Sequence, residues 1–196
     1  LVTHEEVPLA LAPLPQLAYK VILPHSIPFI SYPYEWCFEQ LKDAAILTLS
    51  IARRALEYGL SLKDASAYNV QFLDGKPIFI DTLSFEPYQE GLPWVAYRQF
   101  CQHFLAPLAL MAHKDTRLSQ LMRVYIDGIP LDLTSKLLPA STRLQFGLLS
   151  HIHLHARSQE KYAGKAVSPN ALEGKVSLSA MRGLLESLLA VVRGLR

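Results

Sequence analysis

The stretch from Lys63 to Phe85, KDASAYNVQFLDGKPIFIDTLSF, constrains the fold of this chain more than any other. Two short apolar, β-prone runs, NVQFL and PIFI, flank Asp74-Gly75-Lys76-Pro77. Asp-Gly between such runs predicts a hairpin, because both turn residues tolerate positive φ. The second run ends on Asp81, directly after Ile78, Phe79 and Ile80. A carboxylate closing a buried strand is costly unless it is hydrogen-bonded, paired or bound to a metal ion. Asn69 opens the first run and Asp81 closes the second, so the hairpin brings them to one end. A plain hairpin, with a turn Asp, an Asn cap and a satisfied acid, accounts for the same residues without any chemistry.

The stretch resembles the catalytic segment of protein-kinase-like phosphotransferases, the superfamily of aminoglycoside and choline kinases. There a loop Asp accepts or orients the substrate hydroxyl, an Asn five residues on holds Mg²⁺, and an Asp after the hairpin holds Mg²⁺ on the phosphates. The resemblance implies Asp64 as the base-like catalytic residue and Asn69 and Asp81 as the metal ligands. It implies Mg²⁺ and ATP as cofactors, with Lys20 and Lys63 as the candidate cofactor-binding lysines. Departures are visible. Leu62 and Lys63 stand where His or Tyr and then Arg are usual, and Thr82 replaces the glycine after the metal Asp. No glycine-rich loop precedes Lys20, and no helix carrying a glutamate partner fits between Lys20 and the aromatic residues that follow.

With 196 residues, half of them hydrophobic, the chain suits one domain, or one and a half, with a sizeable core. A net charge of +2 without a Lys/Arg run gives no basis for nucleic-acid binding. Cys37 and Cys101, both in apolar helical contexts, read as buried free thiols of a reducing compartment. No signal peptide and no uninterrupted apolar run long enough to span a membrane is visible, so a cytoplasmic, soluble chain is expected. The chain opens on Leu1 inside a polar run, and a piece of a longer protein is the expectation.

Taken in order, residues 1–35 read as an arm followed by remnants of small-lobe strands and a hinge. Strands are expected at 18–23 and 27–31 around Pro24-His25-Ser26. Tyr32, Tyr34 and Trp36 form an aromatic cluster suited to packing at the start of a helix. A helix is predicted over 36–58 from the stripe Phe38, Leu41, Ala45, Leu49, Ala52 and Leu56, with Gly59 as its C-terminal cap. Residues 94–113 predict a long apolar helix in which Pro107 forces a kink. On it, Arg98 either steadies the catalytic loop or pairs locally. Short helices follow at 118–126 and 131–138. His151, His153 and His155 would share a face only on a strand; helical flanks leave just His151 and His155 as neighbours, so no metal site is expected there. The domain reading is therefore a kinase-like helical lobe over 36–162, a linker over 163–175, and an amphipathic helix over 176–196. The last has an apolar stripe of Leu178, Met181, Leu185, Leu188 and Val192 that needs a cover.

The runs YPYEW, FIDTLSFEPY and PWVAYRQF are similar to those of a bacterial family described as S-adenosylmethionine-dependent methyltransferases, some nodulation-related. That resemblance covers about residues 26–160. No Gly-x-Gly occurs in this chain, so the cofactor loop of a methyltransferase core is not encoded here; S-adenosylmethionine would belong to a domain outside it. The expected fold class is α+β, mainly α: a protein-kinase-like large lobe with a small β-hairpin and a remnant of small-lobe strands. Three functions compete. One is ATP- and Mg²⁺-dependent phosphotransfer to a small-molecule or glycan substrate. Another is an inactive kinase-like substrate-binding or interaction module of a larger methyltransferase. The third is a structural domain that makes an intramolecular or homo-oligomer contact through 176–196.

Overall fold

The computed structural model describes residues 1–162 and 176–196, with side chains to 158 in the first stretch. The linker expected over 163–175 lies outside the described residues. Within them the fold is α+β and mainly helical, with three separate two-stranded antiparallel sheets.

The chain begins with β1 (His4–Val7), which pairs with β2 (Val21–Pro24) in a ribbon anchored by the Val2 amide on the Phe79 carbonyl (2.8 Å). The strand expected over 27–31 does not form. Pro28 lacks a donor, and the Ser31 backbone is satisfied instead by a side chain. Its N–H donates to Gln71 Oε1 and its carbonyl accepts from Gln71 Nε2, both at 3.0 Å. Tyr32 and Tyr34 stack with centroids 5.5 Å apart. Trp36 is buried, edge-on to Phe72 at 5.2 Å, and donates to Ser31 Oγ. The aromatic cluster thus packs the entry to the next helix.

That helix, α1 (Phe38–Glu57), forms where the apolar stripe predicts it and buries Leu41, Ala45, Leu49, Ala52 and Leu56. Gly59, at φ +70°, turns the chain out of it. Cys37 lies at the exposed N-terminal edge of α1, not in the core, because the apolar stripe begins one residue later; Cys101 is fully buried. Next come β3 (Leu60–Leu62), β4 (Val70–Leu73), β5 (Lys76–Phe79) and β6 (Phe85–Pro87). β4 and β5 make the predicted hairpin, with Asp74 and Gly75 at φ +50° and +74°. The β3–β6 pair has no signature in the sequence, since neither three-residue strand carries enough pattern to declare itself.

The expected helix over 94–113 is α2 (Tyr97–Phe100) and α3 (Ala106–His113), joined by a π-helical turn over Cys101–Leu105. The amide of Ala106 reaches back to the Cys101 carbonyl, a wide i→i−5 bond that relieves the clash Pro107 would make with the preceding turn. The stretch expected as a helix over 118–126 is instead a 3₁₀ segment, Thr116–Arg123, capped by the Asp115 carboxylate on the Arg117 amide at 2.8 Å. Beyond it lie α4 (Leu131–Leu137), α5 (Phe146–Leu148), a second π segment (Leu149–Leu154), α6 (His155–Tyr162) and α7 (Leu178–Gly194).

The three histidines are helical and divide between two sides. His151 Nδ1 meets Tyr97 Oη at 2.8 Å and its Nε2 meets Ser187 Oγ at 3.0 Å, while His155 stacks on Tyr97. His153 turns the other way, towards Ser135 and Thr142. Helix α7 lies on α1, burying Met181, Leu185, Leu188, Leu189 and Val192. Arg53 pairs with Glu186 at 2.9 Å and Lys42 donates to the Leu195 carbonyl. The stripe of 176–196 is therefore covered by this chain's own lobe. No helix among the described residues is long and apolar enough to cross a membrane.

Candidate functional site

The loop between β3 and β4 and the turn after β5 meet at Ser84. Lys63 donates its amide to the Ser84 carbonyl (2.8 Å), which holds the start of the loop against the end of the turn. Ile80 donates to the Asn69 carbonyl (2.8 Å), which continues the hairpin by one bond beyond its ladder. These two backbone contacts set the site.

Asp64 is half-buried and its Oδ1 is doubly engaged. It accepts from the Ser66 amide and from Gln99 Nε2, each at 2.9 Å. Gln99 Oε1 accepts in turn from the Ala65 amide at 2.7 Å, so one α2 side chain clamps the loop on both sides of the peptide. Asp64 Oδ2 accepts no hydrogen bond among the described residues. Asn69 ends the 3₁₀ turn Ala67–Asn69, which Ser66 caps through the Tyr68 amide. Its Nδ2 donates to Ser84 Oγ at 3.2 Å, and Ser84 Oγ donates to Asp81 Oδ2 at 2.5 Å. Asp81 Oδ1 accepts from the Leu83 amide at 2.8 Å. The hairpin therefore does join Asn69 and Asp81 at one end, through a serine that is 1% exposed.

The lysines stand differently. Lys20 precedes β2 and is paired on the surface with Glu6 of β1. No hydrogen bond or ion pair among the described residues joins its ammonium to the loop. Lys63 is exposed and makes no ion pair among the described residues; its amide, not its side chain, touches the site. Arg98 resolves to the local alternative, donating to Gln102 Oε1 at 3.3 Å. The residue that reaches the loop is its neighbour Gln99. A polar amide within the apolar run WVAYRQF was the available signal for it, and Ser84 in TLSF had none beyond its proximity to Asp81.

His103 lies beneath the loop, 3% exposed and edge-on to Tyr68 at 6.1 Å. Burial holds its imidazole below the ordinary value, against the opposing pull of the Asp64 and Asp127 charges.

Mg²⁺ requires hard oxygens and is commonly held by one or two carboxylates, with phosphate oxygens and water completing its octahedron. Asn69 Oδ1 accepts no hydrogen bond among the described residues, and each Asp81 oxygen retains a lone pair after its single bond. The donor set fits that ion. Among the described residues no group of three His, Cys, Asp or Glu side chains is placed to hold a metal, so a complete shell would need oxygens from a phosphate-bearing ligand.

Compared with known proteins, the chain is 36% identical over 169 residues, 85% of its length, to Nodulation protein NoeA of Rhizobium meliloti (strain 1021). It spans only 36% of the length of that relative. The resemblance to nodulation-related proteins thus has a curated counterpart. No family model matches the chain, and no solved structure matches it. The kinase-like comparison consequently rests on the loop and hairpin residues themselves.

Proposed function

We propose that this chain is a kinase-like lobe in which Asp64, Asn69 and Asp81 serve Mg²⁺-ATP-dependent phosphotransfer to a hydroxyl of a small molecule or glycan. The observation that carries this reading is the Asn69–Ser84–Asp81 bridge, which brings two candidate hard-oxygen ligands together at the open end of the hairpin. Bound there, Mg²⁺ would neutralise charge developing on the transferred phosphoryl group. Asp64, held through Oδ1 by Gln99 and Ser66, presents Oδ2 as the acceptor for the substrate hydroxyl proton. Gln99 keeps that carboxylate from rotating, and the Asn69 carbonyl bond to Ile80 keeps the metal end of the loop in register.

A second reading draws on Lys20. Its engagement with Glu6 leaves the phosphates without a small-lobe lysine, which favours a non-catalytic module that binds substrate or a partner domain within a longer nodulation-related protein. In that protein S-adenosylmethionine would be used by another domain.

Thermal unfolding separates the two. A ligand present at about 100 times its Kd stabilises by about 2.7 kcal/mol, a midpoint rise of roughly 5–11 °C for a chain of this size. The active reading expects that rise with Mg²⁺-ATP in the wild type and its loss in Asp81→Ala. No rise in the wild type, or an equal rise in Asp81→Ala, refutes it. Addition of S-adenosylmethionine is expected to leave the midpoint unchanged.

A further inference from the structure

We propose that Ser84 is the positioning residue of this site, fixing which atom of Asn69 and which faces of Asp81 are left to bind a metal–phosphate group. The inference rests on the metal-site reading above. A serine hydroxyl has one proton and two lone pairs. Its proton is committed to Asp81 Oδ2 at 2.5 Å, the short distance of a charge-assisted O–H···O⁻ bond. Towards Asn69 it can then only accept, so the Asn69 amide must point Nδ2 at Ser84. The carbonyl Oδ1, the only metal-binding atom of that side chain, is turned away from the bridge and left uncommitted. Without the hydroxyl, either orientation of the amide would be allowed and half of them would offer a metal two N–H groups.

An ordinary Asx turn explains the Leu83 amide on Asp81 Oδ1, but it does not require a third residue. Ser84 differs in reaching Asn69, fifteen positions upstream, while its own carbonyl holds Lys63. One buried residue thus ties together both candidate ligands and the loop bearing Asp64. Ser84→Ala removes a single oxygen from a closely packed position and keeps the backbone bond to Lys63.

The test uses Mn²⁺ with ATP as the probe, followed by electron paramagnetic resonance titration on the wild type, Ser84→Ala, Ser84→Thr and Asp81→Ala. A side-chain amide spectrum of Asn69 on metal-free protein accompanies it. Loss of an outer-shell partner weakens metal binding by about 10- to 100-fold. That weakening is expected in Ser84→Ala, with recovery in Ser84→Thr, which retains the hydroxyl. The Asn69 amide resonances are expected to move towards solvent-exposed positions in Ser84→Ala alone of the two. Wild-type affinity in Ser84→Ala with an unmoved Asn69 amide overturns the role of Ser84 and leaves the metal site standing. Equal absence of binding in wild type and Asp81→Ala overturns the site reading and the positioning role with it.

Discussion

Replacing Gly147 by Ala should push α7 off the lobe. Gly147 lies in α5, and a Cβ built on it would come 2.1 Å from Cγ2 of Val191 in α7 and 3.3 Å from its Cβ and Cγ1. Carbon atoms in contact sit about 3.5–4.0 Å apart, so roughly 1.5 Å must be found. Val191 cannot supply it by rotating, since a valine in a helix keeps one χ1 rotamer about nine times in ten. The helices must separate instead. Overpacking of this kind costs about 1–3 kcal/mol, which for a chain of this length lowers the unfolding midpoint by roughly 2–12 °C. Val191→Ala removes the obstructing methyls from a half-buried side chain and alone should cost only about 1 kcal/mol. The double variant should then be less damaged than the two singles added together, by about 1 kcal/mol or more. Urea or thermal unfolding of the four proteins completes the cycle. Simple additivity within about 0.5 kcal/mol would mean that Val191 does not face Gly147, and the docking of α7 described above would be refuted.

Other outcomes follow from the buried groups. Cys37 is exposed, whereas Cys101 is fully buried and its thiol is pushed up to about 12 by burial. A disulfide-exchange reagent should therefore titrate one thiol in the native protein and both in denaturant; two rapid native reactions would contradict the core placement. His153 is 3% exposed, and burial, followed by the charges of Arg143 and Arg157, holds its imidazole below the ordinary 6.5. Thr142 commits its proton to the Pro139 carbonyl at 2.7 Å, so His153 Nε2 donates to Thr142 and Nδ1 accepts from Ser135. As pH falls below about 6.5 the unfolded chain takes up the proton first, and stability is lost until the depressed folded value is passed. His153→Gln should reduce the slope of stability against pH in that window and leave it unchanged above pH 7.5 or so; an unaltered slope would show that His153 is not held neutral.

Much of this architecture was legible along the chain because its signals are short-ranged. The stripe from Leu41 to Leu56 specifies a helix, Asp74-Gly75 specifies the turn of β4–β5, Pro107 announces a disturbed helix, and the flanks of His151–His155 rule against a strand. Expectations failed where a segment's fate depends on a distant group. Residues 27–31 have β-prone composition, yet Ser31 found the Gln71 amide, forty positions away, before it found a strand. Cys37 shares an apolar neighbourhood in sequence but falls just outside the buried stripe.

The candidate site divides in the same way. The resemblance to kinase-like catalytic segments singled out Asp64, Asn69 and Asp81, and the Asp-Gly hairpin by itself implied only that Asn69 and Asp81 meet at its open end. What the assembled backbone alone decided is how those groups are held: Ser84 between Asn69 and Asp81, Gln99 beneath Asp64, Lys20 drawn to Glu6 rather than to the loop. Turn chemistry and helical periodicity act over a few residues and are written locally. The partner of a hydroxyl, an amide or a three-residue strand is chosen only when remote segments arrive at the same place, and no local pattern records that meeting.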